Sequence, residues 1–144
     1  MASKSKVYFF TDDMVLNLRN RTTLKKMIEL LFRKENKSLE RLYYIFCSDQ
    51  KLLAINQQYL KHNDYTDIIS FDLSSNDAVN GEIYISIPRV KENAQKFDQP
   101  FYSELLRVIF HGALHLCGYR DKKQPDKAKM SEKESFYLNK YLRN

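Results

Sequence analysis

The chain has 144 residues, 43% of them hydrophobic and 29% charged, with 24 Lys and Arg against 18 Asp and Glu for a formal net charge of +6. That length suits a single domain over residues 1–144 with one real core, and that balance excludes an intrinsically disordered chain. No window approaches the roughly 18 uncharged apolar residues of a membrane span, and the apolar run in "MASKSKVYFF" is too brief for a signal peptide, so neither a membrane segment nor export is expected.

With only three glycines and three prolines, loops should be short and elements long. "KVYFF" (6–10) is dense in aromatic and β-branched residues and predicts a first strand. "TTLKKMIELLFRKE" (22–35) places Leu24, Met27, Ile28, Leu31 and Phe32 at helical spacing, capped by Thr22 or Thr23. "SLERLYYIFCS" (38–48) predicts a strand with a buried centre. Asp49 is the expected N-cap of a second helix, "QKLLAINQQYLK", carrying Leu52, Leu53, Ile55, Tyr59 and Leu60. In "TDIISFDLS" (66–74), Ile68, Ser70 and Asp72 alternate with Ile69, Phe71 and Leu73, the pattern of a half-buried strand. "SSNDAVNG" predicts a turn, and "GEIYISI" (81–87) the partner strand of a hairpin.

Pro88 ends that strand and opens a helix at "RVKENAQKF", and Pro100 opens another, "FYSELLRVIFHGALHLC" (101–117). "PDKAKMSEKESFYLNKYL" (125–142) predicts a last amphipathic helix packing through Leu138, Tyr141 and Leu142. Strands interleaved with helices, and a hairpin in the sheet, predict an α+β fold: a small mixed sheet with a central buried helix.

Cys47 and Cys117, the only cysteines, both lie in apolar runs, which predicts buried free thiols and suits a reducing cytoplasm. The basic excess is spread evenly along the chain. It is compatible with a polyanion such as RNA and equally with ordinary solubility.

The helix over 101–117 is apolar nearly all round, so it should be buried. Yet it carries His111 and His115, four apart on one face, where two imidazoles can converge on one ion. Gly118 stands where the helix should stop in the left-handed conformation, and the reversal through Tyr119 and Arg120 would bring Asp121 toward the imidazoles. Two nitrogens and a carboxylate oxygen fit one zinc ion per chain, with a fourth position left for water. The competing reading is a pair of satisfied core histidines beside a solvated acid.

"HGALHLCGYRD" has the spacing of the zinc-protease loop H-E-x-x-H-x-x-G-x-x-H, but Gly112 replaces the glutamate that serves there as general base. Glycine moves no proton, so a protease is disfavoured. Glu82, Asp67 and Glu104 are candidate remote bases, none of them assigned; for Glu104 a surface or capping role is expected. A phosphodiester suits such a site better, because nearby cations can neutralise it. Arg120, Lys122 and Lys123 adjoin the clamp, and Lys61 and Arg89 flank neighbouring segments.

The same segment resembles the H-G-x-L-H-L-x-G-Y-D-H signature of the YbeY family, endoribonucleases of rRNA maturation. "TDIISF" (66–71) is similar to that family's T-D-V-L-S-F, "GEIYIS" (81–86) to its G-D-I-x-I-S, and "INQQYL" (55–60) to its L-N-x-x-Y-R. The resemblance implies a zinc-dependent, single-strand-selective RNase acting in rRNA processing and ribosome quality control, with the ribosome as a partner. Its metal ligands carry over to His111 and His115, and to Asp121 where the family usually has histidine. The pattern departs at Leu60, where the family has an arginine facing substrate phosphate. RNA contacts are expected at Lys61, Arg89 and Arg120. Two other readings stay open: a zinc hydrolase of another bond, and a metal-holding ribosome- or protein-binding factor that cuts nothing.

Overall fold

Aromatic and β-branched runs become strands, and stripes at 3.6 spacing become helices, in the computed structural model, which describes residues 4–62 and 64–143. The N-terminal leader reading rests partly on residues 1–3, which lie outside the described residues. The order is β1 (Val7–Thr11), α1 (Arg21–Lys34), β2 (Leu39–Cys47), α2 (Asp49–Ile55), a π-helical turn (Asn56–Leu60), β3 (Ile68–Asp72), β4 (Val79–Ser86), α3 (Ile87–Lys96), α4 (Phe101–Leu116) and α5 (Gln124–Leu142). This is the α+β fold expected.

The sheet runs β1-β2-β4-β3. β1 and β4 both lie parallel to β2, and β3 closes the far edge as an antiparallel hairpin with β4, pairing Ile68 with Ile85 and Asp72 with Gly81. Parallel neighbours need a crossover, and α1 supplies it between β1 and β2. On one face α4 packs against β3, β4, α1, α3 and α5, burying Leu105, Leu106, Ile109, Phe110, Ala113 and Leu114. Tyr44 of β2 donates its hydroxyl to the Ile109 carbonyl at 2.7 Å, tying the middle of α4 to the sheet. On the other face α2 closes a small cluster of Cys47, Leu52, Ile55 and Ile69. Both cysteines are free and buried, and burial first of all pushes each thiol pKa up to about 12.

Several boundaries differ from those expected, each for a local reason. The N-cap of α1 is Asn20 in the left-handed conformation, not a threonine. Ser48, not Asp49, caps α2, its Oγ accepting from the Lys51 amide at 3.1 Å, which frees Asp49 to pair elsewhere. The second helix is not one α-helix: past Ile55 it widens, and the Lys61 amide reaches back five residues to the Asn56 carbonyl. Asn56 is buried there and donates Nδ2 to the Asp64 carbonyl at 2.8 Å, anchoring the loop that follows. The hairpin turn is shorter than "SSNDAVNG", because Val79 and Asn80 already pair with β2. Ser86 caps α3, so that helix begins at Ile87, before Pro88. On α5 the buried stripe is Met130, Glu134, Tyr137, Leu138 and Tyr141, while Leu142 is exposed.

Candidate metal centre and cleft

The end of α4 follows from Gly118. With φ at 104°, it lets the Tyr119 amide reach the Leu114 carbonyl at 3.1 Å and its own amide reach the His115 carbonyl at 3.0 Å. This is the Schellman reversal, in which the left-handed residue turns the chain back over the last helical turn. It delivers Asp121 to the two imidazoles. Asp121 Oδ2 lies 3.2 Å from His111 Nε2 and 3.4 Å from His115 Nε2, and the imidazole centroids are 4.5 Å apart with planes at 87°. Among the described residues, these three form the one group of His, Cys, Asp and Glu spaced to hold a metal ion.

The far nitrogens decide what this arrangement is. His115 Nδ1 lies 2.9 Å from the Tyr119 carbonyl oxygen, and His111 Nδ1 lies 2.5 Å from Glu134 Oε2. A carbonyl can only accept, so His115 must carry its proton on Nδ1, and the neutral ring presents a bare Nε2. The Glu134 carboxylate imposes the same tautomer on His111. Two bare nitrogens and a carboxylate oxygen then face one another, a cluster of lone pairs that repel unless a proton or a cation lies among them. Tetrahedral zinc with bonds of about 2.0–2.1 Å sets its ligands roughly 3.3–3.4 Å apart, close to the spacing seen. Donor set and spacing both fit a zinc ion. Burial pulls the His111 pKa down, but the bond to Glu134 and the charges of Glu134, Asp121 and Asp67 outweigh it and carry the pKa above its ordinary value.

At Gly112 α4 lies close against the sheet. A Cβ there would lie 2.9 Å from Ile83 Cδ1 and 3.0 Å from Ile68 Cδ1. The protease glutamate is therefore absent for a packing reason, since this side of the helix has no room for a side chain.

Behind the site, Glu35 at the end of α1 receives the hydroxyls of Tyr119 at 2.6 Å and Tyr137 at 2.5 Å, and the Lys133 ammonium at 3.5 Å. Tyr119 thus orients His115 through its carbonyl and is itself pinned through its ring. Burial alone would raise the Glu35 pKa, but the two tyrosine bonds and Lys133 more than offset that and lower it. A lowered native pKa means stability that is present above the unfolded value and lost as pH falls through the native one. Glu35→Gln is accordingly expected to lower stability by about 1–3 kcal/mol at neutral pH. The gap to the unaltered protein should close as pH drops below the ordinary carboxylate value of 4.5, as urea titrations over a pH series would measure. A gap independent of pH would remove Glu35 from that role.

The site opens into a cleft of about 940 Å³ between α4, the loop before β3 and α5. The chain as a whole matches known proteins. The family profile for endoribonuclease YbeY matches residues 9–142. The chain belongs to that family. It is 48% identical over 125 residues to endoribonuclease YbeY of Flavobacterium psychrophilum, covering 87% of this chain and 89% of the relative. It is 49% identical over 122 residues to that of Karelsulcia muelleri, covering 85% and 86%. A Thermotoga maritima protein of known solution structure superposes with a TM-score of 0.65 at 29% identity, over 94% of this chain and 88% of its own.

Leu60, where the resemblance implies an arginine, lines the cleft together with His62. Lys61, in the left-handed conformation at the end of the π-helical turn, is exposed and outside the lining. Arg120 belongs to a separate hollow near Glu35 and Lys129. Arg89 is also outside the lining, its Nη2 2.7 Å from Asp49 Oδ2 and its Nη1 3.3 Å from Glu92 Oε2. Lys122 does line the cleft.

Of the three acids raised as remote bases, Glu82 is on the far side of the sheet, accepting from the Tyr84 hydroxyl. Asp67 and Glu104 both line the cleft, and burial is the main cause holding each pKa above the ordinary carboxylate value. Glu104 is only 6% exposed, so the surface role expected for it is wrong; α4 turns its first acid inward. The residues that the spacing did not reveal are Glu134 and Arg107, the latter donating Nη1 to Glu134 Oε1 at 2.9 Å. One signal was available: Glu134 interrupts the apolar stripe Met130–Glu134–Leu138 at spacings of four, and a carboxylate on a buried stripe needs partners.

Proposed function

We propose that this chain is a metal-dependent, single-strand-selective endoribonuclease of rRNA maturation and ribosome quality control, acting in the cytoplasm on or near the ribosome as a single domain. Its zinc ion, one per chain, is held by His111, His115 and Asp121. The observation that carries the reading is that both Nε2 atoms face one Asp121 carboxylate oxygen, at 3.2 and 3.4 Å, in an open cleft, with no general base beside the first histidine. Family membership supports the nuclease activity. Two buried free thiols support a reducing compartment, and among the described residues no helix is long and apolar enough to cross a membrane.

When bound, such an ion supplies Lewis-acid stabilisation of charge on a phosphoryl oxygen and water acidic enough to attack at neutral pH. The chain's own residues do the rest. Glu134 and the Tyr119 carbonyl hold protons on the two Nδ1 atoms and so keep both rings aimed. Arg107 offsets the charge of Glu134, and Lys122 on the cleft wall stands to meet phosphate. Asp121 in place of an imidazole lowers the net charge of the site by one.

The test is cleavage of a single-stranded rRNA fragment with and without chelator. Cleavage should vanish on chelation, return with zinc, and be weak on the same sequence as a duplex, and casein should stay intact. Cleavage indifferent to chelation would defeat the reading. Clean metal-loaded protein that binds RNA without cutting would favour a binding factor instead.

A further inference from the structure

The cleft lacks the charge expected of a groove that grips RNA by its backbone. Asp64, Asp67, Asp72, Glu104, Asp121 and Glu134 line it. Against them stand Arg107, already engaged by Glu134, and Lys122. Leu60 adds an uncharged side chain to the wall. Phosphate contacts dominate nucleic-acid affinity where cations line the path, and here they are few. Another source of affinity is needed.

Tyr65 provides one. It lines the same cleft and is 52% exposed. The Arg89 guanidinium carbon lies 5.0 Å from its ring centroid. That guanidinium is fixed in place: Nη2 and Nε reach the two Asp49 oxygens at 2.7 and 3.4 Å, and Nη1 reaches Glu92. Asp49 is steadied in turn by the Ser86 hydroxyl at 3.0 Å. A guanidinium occupied by two carboxylates is poorly placed to take phosphate, but it makes a rigid backing for an aromatic ring. The Asn56–Asp64 bond anchors the same loop one residue earlier.

We infer that Tyr65 is a base-stacking platform, backed by Arg89, that selects unpaired nucleotides for this cleft. The inference rests on the nuclease reading above and deepens it. Stacking accepts any base, because every base has a π-face, but it requires that the base be free of a helix. Tyr65 would then set strand preference without sequence preference, and Arg89 would act as a positioning residue rather than a phosphate contact.

The experiment uses the full zinc-loaded chain and a short single-stranded RNA bearing one 2-aminopurine, whose fluorescence falls on stacking, read by stopped flow before turnover. Tyr65→Leu keeps bulk and loses the ring; Tyr65→Phe keeps the ring. Tyr65→Leu should bind about tenfold more weakly and lose the quenching. Tyr65→Phe should recover most of both, and zinc content should be equal in all three proteins. A duplex should not distinguish the unaltered protein from Tyr65→Leu. If Tyr65→Leu binds and quenches like the unaltered protein while chelator-sensitive cleavage persists, the platform is wrong and the nuclease reading stands. If the unaltered protein neither binds nor cleaves RNA, the nuclease reading falls and the platform with it.

Discussion

Replacing both His111 and His115 by alanine is expected to strip the chain of its metal and to lower RNA cleavage by roughly a thousandfold or more. The magnitude follows from the chemistry removed: Lewis-acid stabilisation is worth several kcal/mol, and about 1.4 kcal/mol is a factor of ten in rate. The structure also predicts a graded intermediate. Glu134 is not among the three residues spaced to hold an ion, but it fixes the tautomer and angle of His111 from 2.5 Å. Glu134→Ala should weaken metal binding about 10- to 100-fold without abolishing it, and it should leave Arg107 without its carboxylate. Metal per chain by elemental analysis, a competition titration with a zinc chelator, and cleavage of single-stranded RNA on the same preparations read all three effects. A double histidine variant that keeps one zinc per chain would remove the centre from this site altogether.

Gly112→Glu should not create a peptidase; it should unfold the protein. The substitution rebuilds the protease loop on paper, yet the Cβ alone would press within 3.0 Å of Ile83 and Ile68 side-chain atoms, and Ile83 is fully buried. Beyond that contact the carboxylate would enter the interface between α4 and the sheet, where an unpaired charge costs several kcal/mol. A penalty of that size rivals the roughly 5–15 kcal/mol that holds a domain together. Gly112→Ala separates the two causes. It brings overpacking of about 1–3 kcal/mol and regains about 1 kcal/mol of helix propensity, so a modest net loss is expected. Urea denaturation of the alanine variant and solubility of the glutamate variant measure the pair. A soluble, cooperatively folded Gly112→Glu protein would contradict the packing described for α4.

Both expectations mark how far the amino-acid order could be read. Gly112 is visible as the missing base, but the reason for it is not, because Ile83 and Ile68 are 29 and 44 positions away and meet it only when α4 lies on the sheet. Cap positions misled at Thr22 and Asp49, since several polar residues in a row satisfy the same local rule and tertiary partners choose among them. Arg89, expected to contact RNA, pairs with Asp49, which sits 40 positions earlier and which no spacing in the chain reveals. Glu104 looked like a surface acid because its helix, apolar all round, has no polar face to assign it to.

What the amino-acid order determined by itself is what a few adjacent residues can enforce. It set the one-turn stacking of His111 and His115, the left-handed stop at Gly118, the strand alternation at 68–72 and the absence of a base at position 112. Tertiary structure alone decided that Glu134 and the Tyr119 carbonyl would orient both imidazoles, and that the surrounding cleft would be acidic rather than basic. Helical period and backbone handedness are local steric properties, legible along the chain. The aim of a ring nitrogen and the charge of a cavity depend on groups brought together from distant segments by burial, and no spacing in the chain records them.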